Sequence, residues 1–333
     1  MVELPRRADL DQLRRQAKQL RKAAAEGLPE AVARVGAVSD QVSLAAAQLV
    51  LAREHSCRSW PALKAAVKGR TVAMAPLVPG KHVDEAVRGA GDFVEWAQSE
   101  GWSPGRLPVA TILTSQTFIT NYLEQRPDRF RVSRELTPAN GQVFLTATDP
   151  IVAVACLGTG ASAAVSLLEH LVSLGVDTFV SVGPAPAVST ALEWGDCIVA
   201  DAALRDDGIS QHYVEPARYA HPDPALTQRV TKEASAAGLD PVLGSMWTVP
   251  TPYRTTASEL EVYRAEGVLA TDLITAALFA IGAALNVKTA SAAVATRTLG
   301  PPGLPPSPER TTRIFTLLDA TIRAVASGGG ASE

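Results

Sequence analysis

The apolar run Ile151-Val-Ala-Val-Ala-Cys-Leu157 is followed at once by the turn Gly158-Thr159-Gly160 and by a helical pattern that ends at Gly175. The run is too short to span a membrane and has the length of a buried strand. After the turn, apolar residues recur at helical spacing, on one face formed by Val165, Leu168, Leu171 and Val172. This stretch therefore predicts a strand, a tight turn and a helix.

Two further strands are predicted directly after this helix. Thr178-Phe-Val-Ser-Val182 is the first, and we expect Gly183-Pro184 to end it. Cys197-Ile-Val-Ala-Asp201 is the second. Ligands bind at the carboxyl ends of parallel strands joined by right-handed crossovers. We therefore expect the strand ends at 158–160, 181–186 and 204–210 to lie together at a site.

The residues at these strand ends also carry a family resemblance. Residues 175–183 read Gly-Val-Asp-Thr-Phe-Val-Ser-Val-Gly, residues 203–210 read Ala-Leu-Arg-Asp-Asp-Gly-Ile-Ser, and Thr296-Arg297-Thr298 follows in register. Over about residues 107–299 the chain resembles the nucleoside phosphorylase superfamily, nearest its uridine-phosphorylase-like branch. The resemblance implies an α/β fold, a twisted mixed sheet flanked by helices. It also implies a small-molecule ligand and a homodimer or larger assembly in which a neighbour completes each site.

The resemblance implies an anion pocket, where this chain departs from the family pattern. Gly158, Thr159 and Gly160 can still offer backbone N–H groups ahead of a helix. The family carries an Arg where this chain has Ser181, and a small hydroxyl residue after Gly183 where this chain has Pro184. Losing a charge-assisted contact costs about 1.5–3 kcal/mol. We therefore do not expect phosphate to be a co-substrate of this protein.

A ribose clamp is implied at Thr271-Asp272-Leu273-Ile274, where the family has a Glu-Met-Glu run. Asp272 stands for the first carboxylate, and Leu273 stands for the Met. Ile274 replaces the carboxylate that grips both sugar hydroxyls, and it cannot accept a hydrogen bond. Asp272 has two open roles, as an acid or acceptor for a ligand and as the N-cap of the following helix.

The base pocket that the resemblance implies is formed by Met246, Trp247, Tyr253 and Arg297. At the last of these the uridine branch also carries Arg, whereas the Gln and Arg that read uracil in that branch have no counterpart. Arg205, Asp207 and His212 lie on a loop after a strand, and such loops often reach a site or a subunit boundary.

These substitutions lead to a functional hypothesis with two alternatives. We expect a divergent enzyme of this fold that acts on a small molecule other than a standard nucleoside, with Asp272 and Arg297 as catalytic candidates. The alternatives are an N-ribosyl phosphorylase or nucleosidase, and a non-catalytic binding or scaffold protein. No cofactor and no metal are expected.

The N-terminal residues 1–70 predict a small helical domain. Their net charge is +6, and the remaining chain carries −9. We expect Asp9 to cap the first helix, and Ser39 or Asp40 the third. The segment resembles the helical leader of bacterial ankyrin-repeat proteins. A nucleic-acid contact is one interpretation of its charge; the other, which we favour, is packing against the acidic body or a neighbouring subunit without specific nucleic-acid binding.

The remaining domain boundaries follow from the helical and turn patterns. Residues 71–105 predict a linker plus a helix over 82–100, in which five apolar residues would be buried: Val83, Val87, Phe93, Val94 and Trp96. The α/β domain spans 106–327 and ends in a helix over 309–325. A disordered tail is expected at 328–333.

The bulk composition restricts the class of protein. Hydrophobic residues make up 47% of the chain and charged residues 20%, as in a globular protein with a sizeable core. Three widely spaced cysteines fit neither a disulfide framework nor a zinc site. No apolar run is long enough for a membrane helix, and no signal peptide is recognised. We expect a cytoplasmic protein that does not contact membranes.

Overall fold

The computed structural model describes residues 10–55, 57, 59–64, 80–114, 117–139, 141–299 and 308–328. The chain forms two units, Met1–Pro79 and Gly80–Glu333. Asp9 and residues 329–333 of the predicted tail lie outside the described residues.

The first unit is helical, as its sequence predicts. It contains α1 (Leu10–Ala25), α2 (Pro29–Gly36) and α3 (Leu44–Glu54). Gly27 ends the first helical segment with a φ of 76°, a conformation that favours glycine. The cap of α3 is neither Ser39 nor Asp40: Ser43 accepts a hydrogen bond from the Ala46 amide at 3.1 Å. The earlier residues are too far upstream to reach the first turn of this helix.

Apolar stripes of the three helices meet in the core of the first unit. One cluster joins α1 to α3, and the other joins all three helices around residues that include Leu20, Val35 and Val50. On the surface, Arg34 in α2 and Glu54 in α3 form a two-pronged ion pair with both N–O distances at 3.0 Å.

The second unit alternates strands and helices. Its strands are β1 (Ala110–Thr114), β2 (Phe130–Ser133), β3 (Gly141–Thr146), β4 (Val152–Leu157), β5 (Thr178–Ala187), β6 (Cys197–Arg205), β7 (Tyr219–Ala220), β8 (Val242–Thr248), β9 (Ala270–Asp272) and β10 (Lys288–Thr298). Its helices are α4 (Ala90–Ser99), α5 (Thr117–Glu124), α6 (Ala161–Ser173), α7 (Pro224–Ala236), α8 (Ala257–Ala265), α9 (Thr275–Leu285) and α10 (Pro308–Ala326).

The strands form one mixed sheet that curls back on itself. The order is β10-β6-β8-β9-β5-β1-β4-β3-β2, and β10 also pairs with β5. These pairings close a ring of five strands, β5, β9, β8, β6 and β10, from which β1 to β4 extend as an open wing. The predicted fold class, a twisted mixed sheet flanked by helices with a small all-helical N-terminal domain, is confirmed.

The direction of β6 differs from the sequence expectation. β4, β1, β5 and β10 run parallel to one another, but β6 is antiparallel to β10. β6 takes its direction from β8, with which it pairs in parallel over most of its length. The end of β6 therefore points away from the edge at which β4 and β5 end.

β5 continues past the point at which Gly183-Pro184 was expected to end it. Pairing with β10 extends through Pro184 and Ala185. On its other side β5 pairs with β1 only as far as Ser181, and β9 joins only at Ala187. This leaves an open edge between them. A proline is tolerated there because no ladder partner needs its missing N–H.

Helices cover both faces of the sheet and bury two apolar cores. α6 and α9 cover one face, with core residues that include Leu168 and Phe279. α5, α7 and α10 cover the other, with Ile112 and Leu317 at its centre. Within the described part of the chain, no helix is long and apolar enough to cross a membrane.

The helix predicted over 82–100 is shorter than expected. Residues Lys81–Val83 form a single 3-10 turn, and α4 begins only at Ala90, where the Asp92 carboxylate accepts a hydrogen bond from the Gly89 amide. Of the five apolar side chains expected to be buried, only Val94 is. The exposed ones are Val83, Val87, Phe93 and Trp96.

Candidate functional site

Helix α9 begins beside a carboxylate of its own chain. Asp272 ends β9, and its Oδ2 accepts hydrogen bonds from the backbone amides of Ile274 (3.1 Å) and Thr275 (2.8 Å) and from the Thr275 hydroxyl. Its Oδ1 accepts a hydrogen bond from the Thr248 hydroxyl at 2.7 Å. The negative charge therefore stands at the positive end of the helix dipole, where it satisfies donors that the helix leaves free.

Hydroxyl groups extend this network across the sheet. Thr248 Oγ1 also accepts a hydrogen bond from the Ala276 amide, at 2.8 Å. Thr275 Oγ1 lies 2.8 Å from Ser291 Oγ in β10, and Ser291 is the register partner of Ser181 in β5. A line of hydroxyls thus runs from β8, past the start of α9, to the strand pair that contains Ser181.

The environment of Asp272 bears on the two roles that the sequence leaves open. Burial raises the pKa of its carboxyl above the ordinary value, and the hydrogen bonds from Thr275 and Thr248 oppose that shift. A raised pKa suits a general acid. Every hydrogen bond described at this carboxylate, however, comes from the protein itself. The N-cap position of α9 is Ile274 and not Asp272, which holds the start of the helix from two residues upstream. These contacts leave a ligand little of Asp272 to bind.

The two residues after Asp272 are apolar, and both pack against other apolar residues. Ile274 is 8% exposed and belongs to the core beneath α6 and α9. Leu273 is partly buried and packs against the same core. The place that the family resemblance assigns to a sugar-gripping carboxylate is therefore filled by hydrophobic packing.

The turn predicted to hold an anion precedes α6. Gly160 adopts a φ of 104°, and no side chain caps the first turn of α6. Ser181 is almost fully buried and uncharged, between Leu113 of β1 and Ser291 of β10. Gly183 and Pro184 lie on the open edge of β5. Backbone amides and hydroxyls are thus present at this end of the sheet, and no Arg side chain stands at the position of Ser181.

The residues of the implied base pocket do not share one cavity wall. Trp247 is 1% exposed, packs edge-on against Tyr263 at 4.4 Å between ring centroids, and donates its indole N–H to Asp206 at 3.1 Å. Met246 is fully buried in the core beneath α6 and α9. Tyr253 is 102% exposed on the turn Pro252–Arg254. Two of these side chains are core residues, and the third lies in solvent.

The loop after β6 is tightly organised but does not reach the turn before α6. Arg205 donates to the Ser210 hydroxyl (3.0 Å) and to the Glu215 carbonyl (2.6 Å). Asp207 Oδ1 accepts from the Ile209 and Ser210 amides at 2.7 and 2.6 Å.

Tyr213 places this loop along α6. Its hydroxyl donates to Glu169 at 2.9 Å. Glu169 lies eight residues after Ala161, so it stands about 12 Å along the helix from its start. The expectation that this loop, with His212, joins the strand ends at 158–160 and 181–186 is wrong, because β6 runs in the opposite direction.

Arg297, the buried cysteines and the potential metal ligands add little to the described site. Arg297 lies in β10, and its side chain is outside the described residues. Burial raises the pKa of the Cys156 and Cys197 thiols to about 11 and about 12, so neither is a reactive thiolate at neutral pH. Among the described side chains, no group of three His, Cys, Asp or Glu could hold a metal ion.

The site also contains residues that the sequence did not single out. Thr248, Thr275 and Ser291 form the hydroxyl line, and Thr275 lies only three residues after Asp272, the residue that the sequence did single out. Ser291 and Thr248 come from distant strands, and no local signal identifies them.

Comparison with known proteins agrees with this architecture. The family model described as the Phosphorylase superfamily matches residues 113–309, more than half of the chain. The chain belongs to this superfamily. The match covers β2 to β10 and therefore includes both the turn before α6 and the Asp272 network.

Curated relatives match shorter stretches of the chain. A uridine phosphorylase of Thermococcus kodakarensis is 33% identical over 88 residues, 26% of this chain and 32% of the relative. A uridine phosphorylase of Haemophilus influenzae is 31% identical over 118 residues, 35% of this chain and 45% of the relative. A guanosine phosphorylase of Halorubrum lacusprofundi is 36% identical over 74 residues, which are 22% of this chain and 31% of the relative. The chain thus spans less than half the length of these relatives.

A solved structure extends the similarity at the level of the fold. Uridine phosphorylase from Vibrio fischeri ES114, complexed with 6-hydroxy-1-naphthoic acid, superposes with a TM-score of 0.57 at 20% sequence identity. The superposition covers 68% of this chain and 93% of that one. At this identity the similarity concerns the superfamily fold alone.

Proposed function

We propose that this superfamily member acts on a small molecule other than a standard nucleoside, and that it has lost the contacts for ribose and phosphate. The observation that carries the proposal is the state of the Asp272 carboxylate. Four donors of the protein occupy it, and Ile274 packs into the core beside it. A clamp on two sugar hydroxyls needs a free carboxylate, and neither position offers one.

The anion side of the site supports the same conclusion. Phosphate binding in proteins relies on Arg or Lys together with backbone amides. Ser181 is uncharged and nearly buried, and Pro184 has no N–H to donate. The turn before α6 keeps its backbone amides, which suit a ligand with a carbonyl or another weakly charged oxygen. Arg297 remains our proposed contact for such a group, and Asp272 now stands as a positioning group.

Phosphorolysis of nucleosides is the second candidate, because the curated relatives are named uridine and guanosine phosphorylases. A non-catalytic binding or scaffold protein is the third. Both predict measurable behaviour that differs from the first proposal. A phosphorylase turns over nucleosides only when phosphate is present, and a scaffold binds no small molecule in this site.

We expect negligible phosphate-dependent cleavage of uridine, inosine or adenosine. Two lost charge-assisted contacts at about 1.5–3 kcal/mol each correspond to roughly 10²–10⁴-fold in kcat/KM. The assay compares the purified full chain with the Vibrio fischeri uridine phosphorylase, with and without added phosphate. Turnover of any of these nucleosides within tenfold of that enzyme, dependent on phosphate, would contradict the proposal.

Two further features remain proposals. We infer a homodimer or larger assembly, supported by the exposed apolar residues around α4, among them Phe93 and Trp96. A cytoplasmic location is supported by the unpaired state of Cys57, Cys156 and Cys197.

A further inference from the structure

The segment before the α/β sheet touches the loop after β6 through two polar side-chain contacts. The turn Lys81–Val83 packs on the turn Ser210–His212. Lys81 Nζ lies 2.7 Å from His212 Nδ1, and His82 Nε2 lies 3.8 Å from a Glu215 carboxylate oxygen. We call residues 80–89 the strap. Its contacts are with a loop that lies away from the proposed ligand site.

The strap meets a loop that is fixed independently of it. The Asp207 carboxylate accepts hydrogen bonds from two backbone amides, and the Arg205 side chain donates to a backbone carbonyl at the other end of the loop. The Tyr213 hydroxyl donates to Glu169 of α6. At the far end of the strap, α4 packs on α6, where the Phe93 ring lies 5.0 Å from the His170 ring. The loop and α6 therefore form a rigid base. Between its ends the strap exposes Val83 and Val87.

The chemistry of the Lys81–His212 contact requires a neutral imidazole. A lysine ammonium has only protons to donate, so Nδ1 of His212 must accept, and the ring proton is on Nε2. Once His212 takes a second proton, two cations face each other at hydrogen-bond distance and the contact becomes repulsive. One protonation event therefore converts an attraction into a repulsion.

We propose that the Lys81–His212 contact is a pH-operated latch, which holds the strap on the 205–215 loop when His212 is neutral and releases it when His212 is protonated. The inference is independent of the proposed function, because it concerns no ligand. It gives the junction before the α/β sheet a response to acidification.

The groups around His212 determine the direction of this response. Burial lowers the pKa of His212 from its ordinary 6.5, Lys81 lowers it further, and Asp207 raises it. Glu215 and His82 pair beside this contact, and Arg205 lies across the same loop. α9, which also packs on the turn 210–212, carries no ionisable side chain. The latched state therefore resists protonation relative to the released state.

The sign of the pH dependence follows from linkage. Because the pKa of His212 is lower when latched than when released, the released state binds more protons. The latch is complete above about pH 6.5 and weakens as the pH falls below that value. At pH 5.5 the released population can rise by up to about tenfold, the factor by which a free histidine of pKa 6.5 favours its protonated form.

Hydrogen–deuterium exchange of the full chain at pH 7.5 and 5.5, corrected for intrinsic rates, tests the latch. We expect the strap to exchange up to about tenfold faster at pH 5.5. His212→Gln should remove this difference, because its amide oxygen accepts from Lys81 at both pH values. Lys81→Met should give fast exchange at both. His221→Gln, which changes a histidine outside the strap and its loop, should behave like the unaltered protein.

Two results would overturn the latch. One is equal protection of the strap at both pH values in the unaltered protein, and the other is a pH difference that persists in His212→Gln, which would show that His212 is not the group responsible. Protection of β4 and β5 reports whether each variant is folded. If His212→Gln loses that protection, Lys81→Met decides, and slow, unchanged exchange of its strap contradicts the proposal.

Discussion

Replacing Asp272 with alanine is expected to lower the free energy of unfolding by about 3–5 kcal/mol. The substitution removes the acceptor for four donors, namely the Thr248 and Thr275 hydroxyls and the amides of Ile274 and Thr275. Each buried donor left without a partner costs about 1–3 kcal/mol, and partial access of water reduces the sum. The loss of a negative charge near the start of α9 is included in this figure.

Asp272→Asn is the matched control for this prediction. An asparagine can keep its oxygen toward the start of α9 and turn its amide toward Thr248, so it loses one acceptor instead of all of them. We expect a loss of about 1–2 kcal/mol, measured for both variants by urea unfolding. A loss below about 1 kcal/mol for Asp272→Ala would mean that the carboxylate does not hold the start of α9, and its ligand role would then be open again.

Gly282→Ala is expected to destabilise the protein by about 1–3 kcal/mol although alanine favours helices. Gly282 lies in α9, where alanine alone would gain about 1 kcal/mol. A Cβ at this position, however, would stand 2.4 Å from Thr289 Cγ2 and 2.8 Å from its hydroxyl oxygen. Neither α9 nor β10 can retreat without disturbing the core between them, so the steric cost exceeds the helix gain.

Thr289, which an added methyl at Gly282 would meet, supplies the control for this prediction. In a Thr289→Ala background the two closest atoms are gone, and the added methyl should be neutral or stabilising by up to about 1 kcal/mol. The reversal of sign between the two backgrounds is the expected signature in thermal or urea unfolding. A Gly282→Ala variant that is more stable than the original chain would contradict the close packing of α9 on β10.

Much of the fold follows from local sequence patterns. The order of strand, turn and helix over 151–175 is confirmed, because a short apolar run, a Gly-x-Gly turn and a helical stripe each have one simple structural solution. The terminal helix is confirmed at Pro308–Ala326 for the same reason. The direction of a strand, in contrast, does not follow from local sequence patterns. That β6 is antiparallel to β10 depends on pairing between distant segments, which no local pattern records.

Two local signals were overridden by tertiary contacts. Gly183-Pro184 would end an isolated strand, but pairing with β10 carries β5 through it on an open edge. The apolar residues of 82–100 suggested a buried helix. Val83 and Val87 precede the helix, which begins late, and within the helix Phe93 and Trp96 are exposed, so that only Val94 is buried. The N-terminal likeness to ankyrin-protein leaders and the absence of specific nucleic-acid binding remain predictions.

For the candidate site, the sequence identified the positions better than their roles. It placed Asp272 and Ile274 at the start of the helix, and one of its two alternatives for Asp272 was the N-cap position, which the structure gives to Ile274. It could not find Ser291 or Thr248, which reach the start of α9 from other strands. It also assigned Trp247 to a ligand pocket, whereas this residue packs on Tyr263 in a core. An aromatic residue in a pocket and one in a core have the same sequence signal.

The central claim is that the site takes a small molecule without ribose. Leu273 and Val262 provide a matched pair of variants, because the first is partly buried beside Asp272 and the second is 51% exposed on α8. Leu273→Gln makes the proposed site more polar, and Val262→Gln makes the same change on the surface. Neither should unfold the chain, which circular dichroism checks.

The most direct measurement is mass spectrometry of small molecules retained by the purified full chain from a cellular metabolite extract. We predict enrichment of one or a few compounds that lack a ribose and a phosphate, reduced at least about tenfold in Leu273→Gln and unchanged in Val262→Gln. Enrichment of nucleosides or ribose phosphates, or retention that is equal in both variants, would contradict the account.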